Sequence, residues 1–191
     1  MGQKHYTVTI AGLKRDLPIC RINDNLSIAA FVIFGDVELT IAAARELLKR
    51  APEFDVLITA EAKGIPLVYE MARQSGKPYF IARKYPKLYM ANPIAVDVRS
   101  ITTDKDQTLY LDEKEMETIR GKRVLIVDDV VSTGQSMRAL DKLVEHSGGR
   151  ITGQCAILAE GDAIGRKDIF YLETLPLFFD SGGETGDNGG N

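Results

Sequence analysis

The chain has 191 residues, of which 45% are hydrophobic and 27% charged, proportions typical of a globular protein that can bury a core without disulfides or metals. The formal net charge of −3 argues against a dedicated nucleic-acid binder, and the sequence has no run of 18 apolar residues that could cross a membrane. No signal peptide is visible, and the two cysteines, Cys20 and Cys155, lack the spacing of metal ligands, so we expect a cytoplasmic protein with free thiols.

Short runs rich in β-branched and aromatic residues alternate with helical patterns along the chain. Buried strands are predicted at residues 54–59, 79–83, 124–128 and 154–159. Helices are predicted from a cap at Asp36 to about Arg50, from about Pro66 to Gly76, and from about Gln135 to Gly148. This alternation predicts the α/β class, with a twisted, mostly parallel sheet flanked by helices in a single domain.

Two segments fall outside this alternation. Residues 88–112 show polar alternation without a helical period and are predicted to form a long loop or a hairpin, which could act as a lid over a site. Residues 181–191 are acidic and rich in glycine, so we expect a disordered tail, which leaves residues 1–180 as the domain.

The most informative segment is residues 124–136, in which four aliphatic residues lead into Asp128 and Asp129. Ligands of open α/β sheets bind at the carboxyl ends of the strands, and both carboxylates can reach that crevice if the chain turns there. Two carboxylates can accept hydrogen bonds from ribose hydroxyls, directly or through Mg²⁺ and its waters. Taken alone, however, the pair would be explained more easily as solvated loop acids.

Five small or polar residues follow, directly before or within the start of the third predicted helix: Ser132, Thr133, Gly134, Gln135 and Ser136. Their backbone amides, their hydroxyls and the helix dipole suit a phosphate group, and Gly134 lets the backbone approach the ligand. A serine and threonine helix cap is the alternative explanation. Because such a cap does not require two acids just upstream, we favour a ligand site.

Residues 124–136 resemble the 5-phosphoribosyl-1-pyrophosphate (PRPP) signature of type I phosphoribosyltransferases. The resemblance implies that residues 132–136 bind the 5′-phosphate and that Asp128 and Asp129 bind the ribose hydroxyls. It also implies a small hood beside the sheet, made by the N- and C-terminal segments at about residues 6–35 and 160–180.

Two further motifs resemble pyrophosphate-binding segments of purine phosphoribosyltransferases. Residues 59–66, Thr-Ala-Glu-Ala-Lys-Gly-Ile-Pro, are similar to the pyrophosphate loop, and residues 82–88, Ala-Arg-Lys-Tyr-Pro-Lys-Leu, to a basic segment of the adenine and xanthine enzymes. The resemblance implies pyrophosphate contacts from Lys63, Gly64, Arg83, Lys84 and Lys87. Plain turns carrying exposed cations are the alternative for both segments.

The reaction that the resemblance implies is the transfer of 5-phosphoribose from PRPP to a purine base, with adenine as the leading base, to give a nucleoside monophosphate and pyrophosphate. Asp128, Asp129 and Lys84 are the candidate catalytic residues, and Mg²⁺ is expected at the two acids through water. Arg21 and Val130 are the candidates for base contacts. The implied partners are PRPP, the base and a second copy of the chain, with no membrane and no nucleic acid.

The sequence departs from the family pattern in two places. Adenine enzymes carry Leu-Glu-Tyr-Gly in the lid, with a proposed catalytic glutamate, and residues 97–108 lack it; xanthine enzymes carry Glu-Lys where this chain has Glu160-Gly161. Xanthine, hypoxanthine and guanine therefore stay as alternative bases. Residues 63–67 and the lid also resemble the bacterial purine repressor, a PRPP sensor without catalysis, but the residues before position 54 are few and not basic, which favours the enzyme.

Overall fold

The computed structural model describes residues 4–98 and 107–179. The strands in these residues are β1 His5–Ile10, β2 Leu13–Asn23, β3 Leu26–Ala29, β4 Val56–Ala60, β5 Tyr79–Ala82, β6 Pro93–Val98, β7 Gln107–Asp112, β8 Arg123–Val131, β9 Arg150–Glu160, β10 Phe170–Leu175 and β11 Leu177–Phe179. The α-helices are α1 Val37–Arg50, α2 Ile65–Ser75, α3 Glu113–Ile119 and α4 Gln135–His146, and a single 3₁₀ turn spans Gly161–Ala163.

The central sheet has five strands in the order β10-β9-β8-β4-β5, and every neighbouring pair is parallel. This architecture confirms the predicted α/β class. The predicted strand at residues 124–128 is longer in the structure, because β8 stays paired with β9 as far as Val131, which lies opposite Ala159.

Two hydrophobic cores lie on opposite faces of this sheet. Alternate residues of a strand point to opposite faces, and accordingly Leu125 and Val127 pack in one core while Val124 and Ile126 pack in the other. The first core includes the buried sides of α1 and α2, and the second includes those of α3 and α4. The helices therefore flank the sheet on both sides, and its carboxyl edge lies between the two cores.

A four-stranded antiparallel sheet, in the order β1-β2-β3-β11, forms the hood. Its C-terminal contribution is the short strand β11, because β10 pairs in parallel with β9 and extends the central sheet instead. The hood is tied to α1 by Arg15 of β2, whose guanidinium donates to the Asp36 carboxylate at 2.5 and 2.9 Å. Asp36 is also the N-cap of α1, as predicted, and accepts a hydrogen bond from the Leu39 amide at 3.1 Å.

The described part of residues 88–112 is a hairpin rather than an irregular loop. β6 and β7 pair in antiparallel register, and the buried side chains of Leu109 and Leu111 join the second core. Tyr110 forms a backbone bridge with Arg83, which attaches the hairpin to the end of β5. The predicted lid also includes residues 99–106, and the predicted disordered tail begins at residue 181; both stretches lie outside the described residues.

None of the helices described in the structure is long and apolar enough to span a bilayer. Cys20 and Cys155 are both free, and Cys155 is buried.

Candidate functional site

The carboxyl ends of the central strands meet at one edge of the sheet, and the segments that follow them form the candidate site. β4 and β8 pair from Val56 to Ile58 on β4 and from Val124 to Ile126 on β8, and the two strands separate beyond that point. Asp128 and Asp129 follow directly on β8, so they lie where the sheet opens. This is the crevice in which parallel α/β sheets bind ligands.

A cavity of about 100 Å³ lies between the end of β8 and the start of α4. It is lined by Asp128, Val130, Val131, Ser132, Thr133, Gly134, Gln135, Ser136 and Met137, a set that includes all five residues predicted to bind phosphate. Gly134 has a φ of 72°, a left-handed conformation that favours glycine, and it immediately precedes α4. The amides of the first helical turn and the positive end of the helix dipole therefore lie beside a phosphate-sized space.

The two acids occupy different environments. Asp128 is half-buried and lines the phosphate cavity, and its Oδ1 accepts a hydrogen bond from the Asp129 amide at 2.9 Å. Asp129 is 3% exposed, and Lys63 Nζ lies 3.3 Å from its Oδ2 without the geometry of a hydrogen bond. Burial, together with the neighbouring Asp129 carboxylate, raises the pKa of Asp128 to about 7.

We expected the chain to turn at the acids so that both would face one crevice. The expectation of a turn is wrong, since β8 remains extended through both residues and ends at Val131. Asp128 and Asp129 consequently point to opposite sides of the strand, one to the phosphate cavity and the other to Lys63. The loop at residues 61–64 contacts both acids, with Gly64 close to Asp128 and Lys63 close to Asp129.

The loop at residues 61–64 approaches β8 closely at Gly64. A Cβ atom added there would overlap the hydroxyl of Thr59 and would lie 3.5 Å from Asp128 Oδ1. The peptide bond between Glu61 and Ala62 is cis. Gly64 therefore lets the loop lie against the acid pair, and places Lys63 beside Asp129.

The Glu61 carboxylate contacts the basic segment that follows β5. Its Oε1 lies 3.4 Å from both Arg83 Nη1 and Lys87 Nζ, and its Oε2 accepts a hydrogen bond from the Lys84 amide at 3.2 Å. Burial opposes ionisation of Glu61, but the Lys84 amide and the charges of Lys87 and Arg83 hold its pKa below the usual range. The structure thus brings the charged groups of Arg83 and Lys87, and the backbone of Lys84, to one carboxylate that the sequence alone did not identify.

A second cavity, of about 340 Å³, lies between the hood and the central sheet. Its lining residues are Ile28, Ala29, Ala30, Phe31, Val32, Lys63, Val130, Ser132, Glu160 and Leu175. Val130 and Ser132 also line the phosphate cavity, so the two spaces are neighbours. We call this second space the hood cavity.

Of the two residues predicted to contact the base, one lies at the hood cavity and the other does not. Val130 lines the hood cavity, whereas Arg21 is not among its lining residues. The guanidinium of Arg21 donates instead to the carbonyl oxygens of Asn23 and Asp24, in the turn between β2 and β3. A long side chain on an exposed hairpin can fold back and donate to its own turn. No pattern in the sequence distinguishes such an arginine from one that contacts a ligand.

Two site residues were missed. Glu160, the last residue of β9, lines the hood cavity, and its position at the carboxyl end of a central strand was a signal that could have identified it. Arg166 packs against Gly134, since a Cβ atom at Gly134 would overlap its guanidinium. The guanidinium is held by Asp168 at 2.5 and 3.0 Å, and no sequence pattern connects residue 166 with residue 134.

An anion loop at a helix N-terminus, two acids and a cluster of cations lie at the same sheet edge, an arrangement that suits the class of proteins with a phosphorylated, hydroxyl-bearing ligand. The comparison with known families agrees with this class. The chain belongs to the phosphoribosyl transferase domain family, whose model matches residues 37–177. The resemblance found in the sequence is thereby confirmed, and the first three hood strands lie before the matched region.

Individual relatives come from two functional groups. A hypoxanthine/guanine phosphoribosyltransferase of Methanococcus voltae is 32% identical over 146 residues, covering 75% of this chain and 74% of that protein. The purine biosynthesis transcriptional repressor PurR of Bacillus subtilis is 29% identical over 126 residues, covering 65% of this chain but 43% of the repressor. Most of the other matching curated phosphoribosyltransferases are likewise covered over only about half to two thirds of their length.

Among solved structures, the adenine phosphoribosyltransferase of Thermoanaerobacter pseudethanolicus superposes with a TM-score of 0.60 at 26% identity. The superposition covers 72% of this chain and 80% of that one. The fold is therefore shared with purine phosphoribosyltransferases, while relatives and structural neighbours differ in the base named for them.

Proposed function

We propose that this chain transfers the 5-phosphoribosyl group of PRPP to a purine base, with adenine as the leading candidate, and releases pyrophosphate. The observation that carries the proposal is the shared wall between the phosphate cavity and the hood cavity. Because Val130 and Ser132 border both spaces, a phosphate in one and a planar base in the other would be neighbours, as the two ends of a nucleoside monophosphate require.

The acids would hold that sugar ring. Asp128 borders the phosphate cavity, and Asp129 presents a buried oxygen that accepts no hydrogen bond from any described residue. A buried carboxylate oxygen without a donor is costly, and ribose hydroxyls would satisfy it. Fixing the sugar at its phosphate and its hydroxyls orients the anomeric carbon between base and leaving group.

The basic segment would bind the leaving pyrophosphate. The side chains of Arg83 and Lys87 lie beside Glu61, and the exposed Lys84 donates its backbone amide to the same carboxylate. Lys63 lies beside Asp129. Departure of pyrophosphate places negative charge on its oxygens and positive charge on the ring, so fixed cations on one side and carboxylates on the other stabilise both. We further propose that the hairpin of β6 and β7 closes over the ring to exclude water.

The acid pair also fits Mg²⁺, which is a hard cation that prefers carboxylate oxygens and retains waters. The oxygen of Asp129 without a hydrogen bond is the observation that favours this fit. Among the described residues no group of three or more acids, histidines or cysteines could hold an ion alone, so Asp128 and Asp129 would share it with water and pyrophosphate oxygens. Bound there, the ion would neutralise charge on the leaving group.

The experiment supplies the protein with PRPP and Mg²⁺ and offers adenine, guanine, hypoxanthine, xanthine and orotate in separate reactions. Base-dependent release of pyrophosphate, with formation of the matching monophosphate, is the expected result. Orotate is the control for a base that is not a purine. Tight PRPP binding by calorimetry without pyrophosphate release from any base would overturn the enzyme proposal in favour of a PRPP sensor.

A further inference from the structure

Arg166 lies beside the candidate phosphate loop, on the short segment between β9 and β10. The segment has other anchors, because Ala163 and Ile169 are buried in the second core and the hydroxyl of Tyr171 accepts a hydrogen bond from the Gly165 amide at 3.0 Å. The side chain of Arg166 is therefore not needed to hold its own segment in place, and its position calls for another explanation.

The guanidinium of Arg166 is oriented by Asp168 and faces Gly134. Its Nε and Nη2 donate to the two carboxylate oxygens of Asp168, at 3.0 and 2.5 Å. Its Nη1 is the atom that a Cβ added at Gly134 would overlap, and within residues 4–98 and 107–179 no acceptor binds this nitrogen. An ion pair between residues two positions apart joins no separate elements, so its effect is to fix the direction of the guanidinium.

The start of α4 has an electrostatic arrangement that favours an anion. Gly134 is the N-cap and provides no side-chain cap, and the first turn of the helix contains no acidic residue. Arg138 Nη1 also lies 3.9 Å from the Cβ position of Gly134, so two guanidinium groups lie near this end of the helix. Cations are unfavourable there because the helix dipole is positive at the N-terminus, and an anion bound by the loop would relieve the repulsion.

We propose that Arg166 is a positioning residue for the phosphate loop: oriented by Asp168, it packs on Gly134 and holds the loop in the conformation that binds a sugar phosphate. The inference rests on the proposed function for the identity of that ligand. Arg166 is not among the residues that line the phosphate cavity, so it acts through the backbone of Gly134. With a φ of 72° and no side chain, Gly134 has a wide conformational range, which contact with the guanidinium restricts.

Replacing Asp168 separates positioning from a simple effect of charge. If only the charge near the cavity mattered, Asp168→Asn would strengthen phosphate binding, because a negative charge is removed. If Asp168 orients the arginine, the same substitution weakens binding, because the guanidinium loses a charge-assisted, two-point contact and no longer stays against Gly134. The two explanations therefore predict changes of opposite sign, and we expect weaker binding.

The test measures affinity for ribose 5-phosphate by calorimetry in the full-length chain. Arg166→Ala should weaken binding roughly tenfold, and Asp168→Asn roughly 3- to 10-fold. The double variant should lose no more than Arg166→Ala, because Asp168 acts only through the arginine. Arg150→Ala is the matched control and should leave the affinity unchanged, since Arg150 is exposed at the start of β9, the end of the strand away from the site.

Chemical rescue distinguishes positioning from general stability. Ethylguanidinium added to Arg166→Ala should restore part of the affinity, whereas ethylammonium should not, because an ammonium lacks the planar fork that binds a carboxylate at two points. A fall in melting temperature without rescue would mean that Arg166 stabilises the fold and would overturn the positioning role.

Unchanged affinity in Arg166→Ala, or tighter binding in Asp168→Asn, would also overturn it. Absence of base-dependent pyrophosphate release would refute the proposed transferase function but leave these binding measurements intact. Failure of the unaltered protein to bind ribose 5-phosphate would refute both proposals.

Discussion

Asp129 is the residue whose environment is hardest to explain without a ligand. Its carboxylate is 3% exposed, one oxygen has no hydrogen bond, and Lys63 is the nearby cation. Burying such a group costs stability, so its retention at the carboxyl end of β8 indicates a binding role. Structural carboxylates elsewhere in the chain look different: Asp55 is fully engaged with Arg123 at 2.9 and 3.1 Å.

Replacing Asp129 with asparagine should weaken binding of PRPP with Mg²⁺ by roughly tenfold or more, because a charge-assisted contact becomes a neutral one. The melting temperature should stay the same or rise, since a buried charge is removed. Calorimetry and thermal unfolding measure the two effects, with Asp162→Asn, an exposed acid, as the control. Unchanged PRPP affinity would refute the assignment of Asp129 to the sugar and metal site.

Glu61 is a second charged residue whose replacement should change the affinity for pyrophosphate. Its carboxylate occupies the position between Arg83 and Lys87 that a pyrophosphate oxygen would also favour. In Glu61→Gln the amide oxygen can still accept from the Lys84 amide, but the competing negative charge is lost. We expect pyrophosphate to bind roughly 3- to 10-fold more tightly, a change of about 1 kcal/mol for a partly exposed pair.

Inhibition of the forward reaction by pyrophosphate measures this effect, and Glu53→Gln serves as a control because Glu53 pairs with Arg123 away from the site. Weaker pyrophosphate binding in Glu61→Gln would mean that Glu61 is needed to position the cations, not to compete with the ligand.

Among the secondary-structure elements, α4 and the turn before it depend on one backbone conformation. Gly134 combines a φ of 72° with close packing against Arg166. Gly134→Ala therefore introduces left-handed strain of about 1–2 kcal/mol and also displaces the arginine. We expect a loss of PRPP affinity of at least about tenfold, because the amides of the first turn of α4 would shift.

Gly12 provides the matched control, since it has a φ of 83° in the β1–β2 turn but open space around its Cβ position. Gly12→Ala should reduce stability by a similar amount and leave PRPP affinity unchanged. If Gly134→Ala binds PRPP as tightly as the unaltered protein, the loop is a structural turn and not the phosphate site.

Elements with strong local signals were the ones that the sequence predicted well. Asp36, the apolar face and the basic last turn identify α1, and its bounds agree with the structure. α3 was missed although Asp112 and Glu115 form a capping box, because seven residues are too few to show a helical period. The candidate phosphate loop could be proposed from the sequence because all its residues are contiguous, whereas Glu160 and Arg166 reach the candidate site only through strand pairing and loop packing.

At the scale of the whole molecule, the site lies where two hydrophobic cores and the hood meet. Arg15 and Asp36 tie the hood to α1, while the bridge between Arg83 and Tyr110 ties the hairpin to β5. The hood cavity therefore adjoins one packing unit, the hood with α1, and the cation cluster adjoins another, β5 with the hairpin. Such an arrangement suits a site that must hold a base and a leaving group on opposite faces of one sugar.

The acid pair also couples the stability of the whole fold to pH. Since the pKa of Asp128 is raised to about 7 in the folded state, from about 4 in an unfolded chain, the folded protein binds this proton more tightly. The free energy of unfolding contributed by this group is fully present below about pH 4 and is lost as pH rises through 7. Asparagine at position 128 has no proton to lose and keeps the hydrogen bond from the Asp129 amide.

In the absence of metal and PRPP, the melting temperature of Asp128→Asn relative to the unaltered protein should therefore increase from pH 5 to pH 8. Because Asp128 is half-buried and partly screened, we expect the difference in free energy of unfolding between the variant and the unaltered protein to grow by about 2 kcal/mol. The difference in melting temperature should grow by roughly 4–8 °C for a domain of this size. Adding PRPP with Mg²⁺ at pH 8 should reverse the order, since only the ionised pair binds them well. A gap that is constant with pH would show that Asp128 is already ionised at pH 5 and that its carboxylate is well solvated in the free protein.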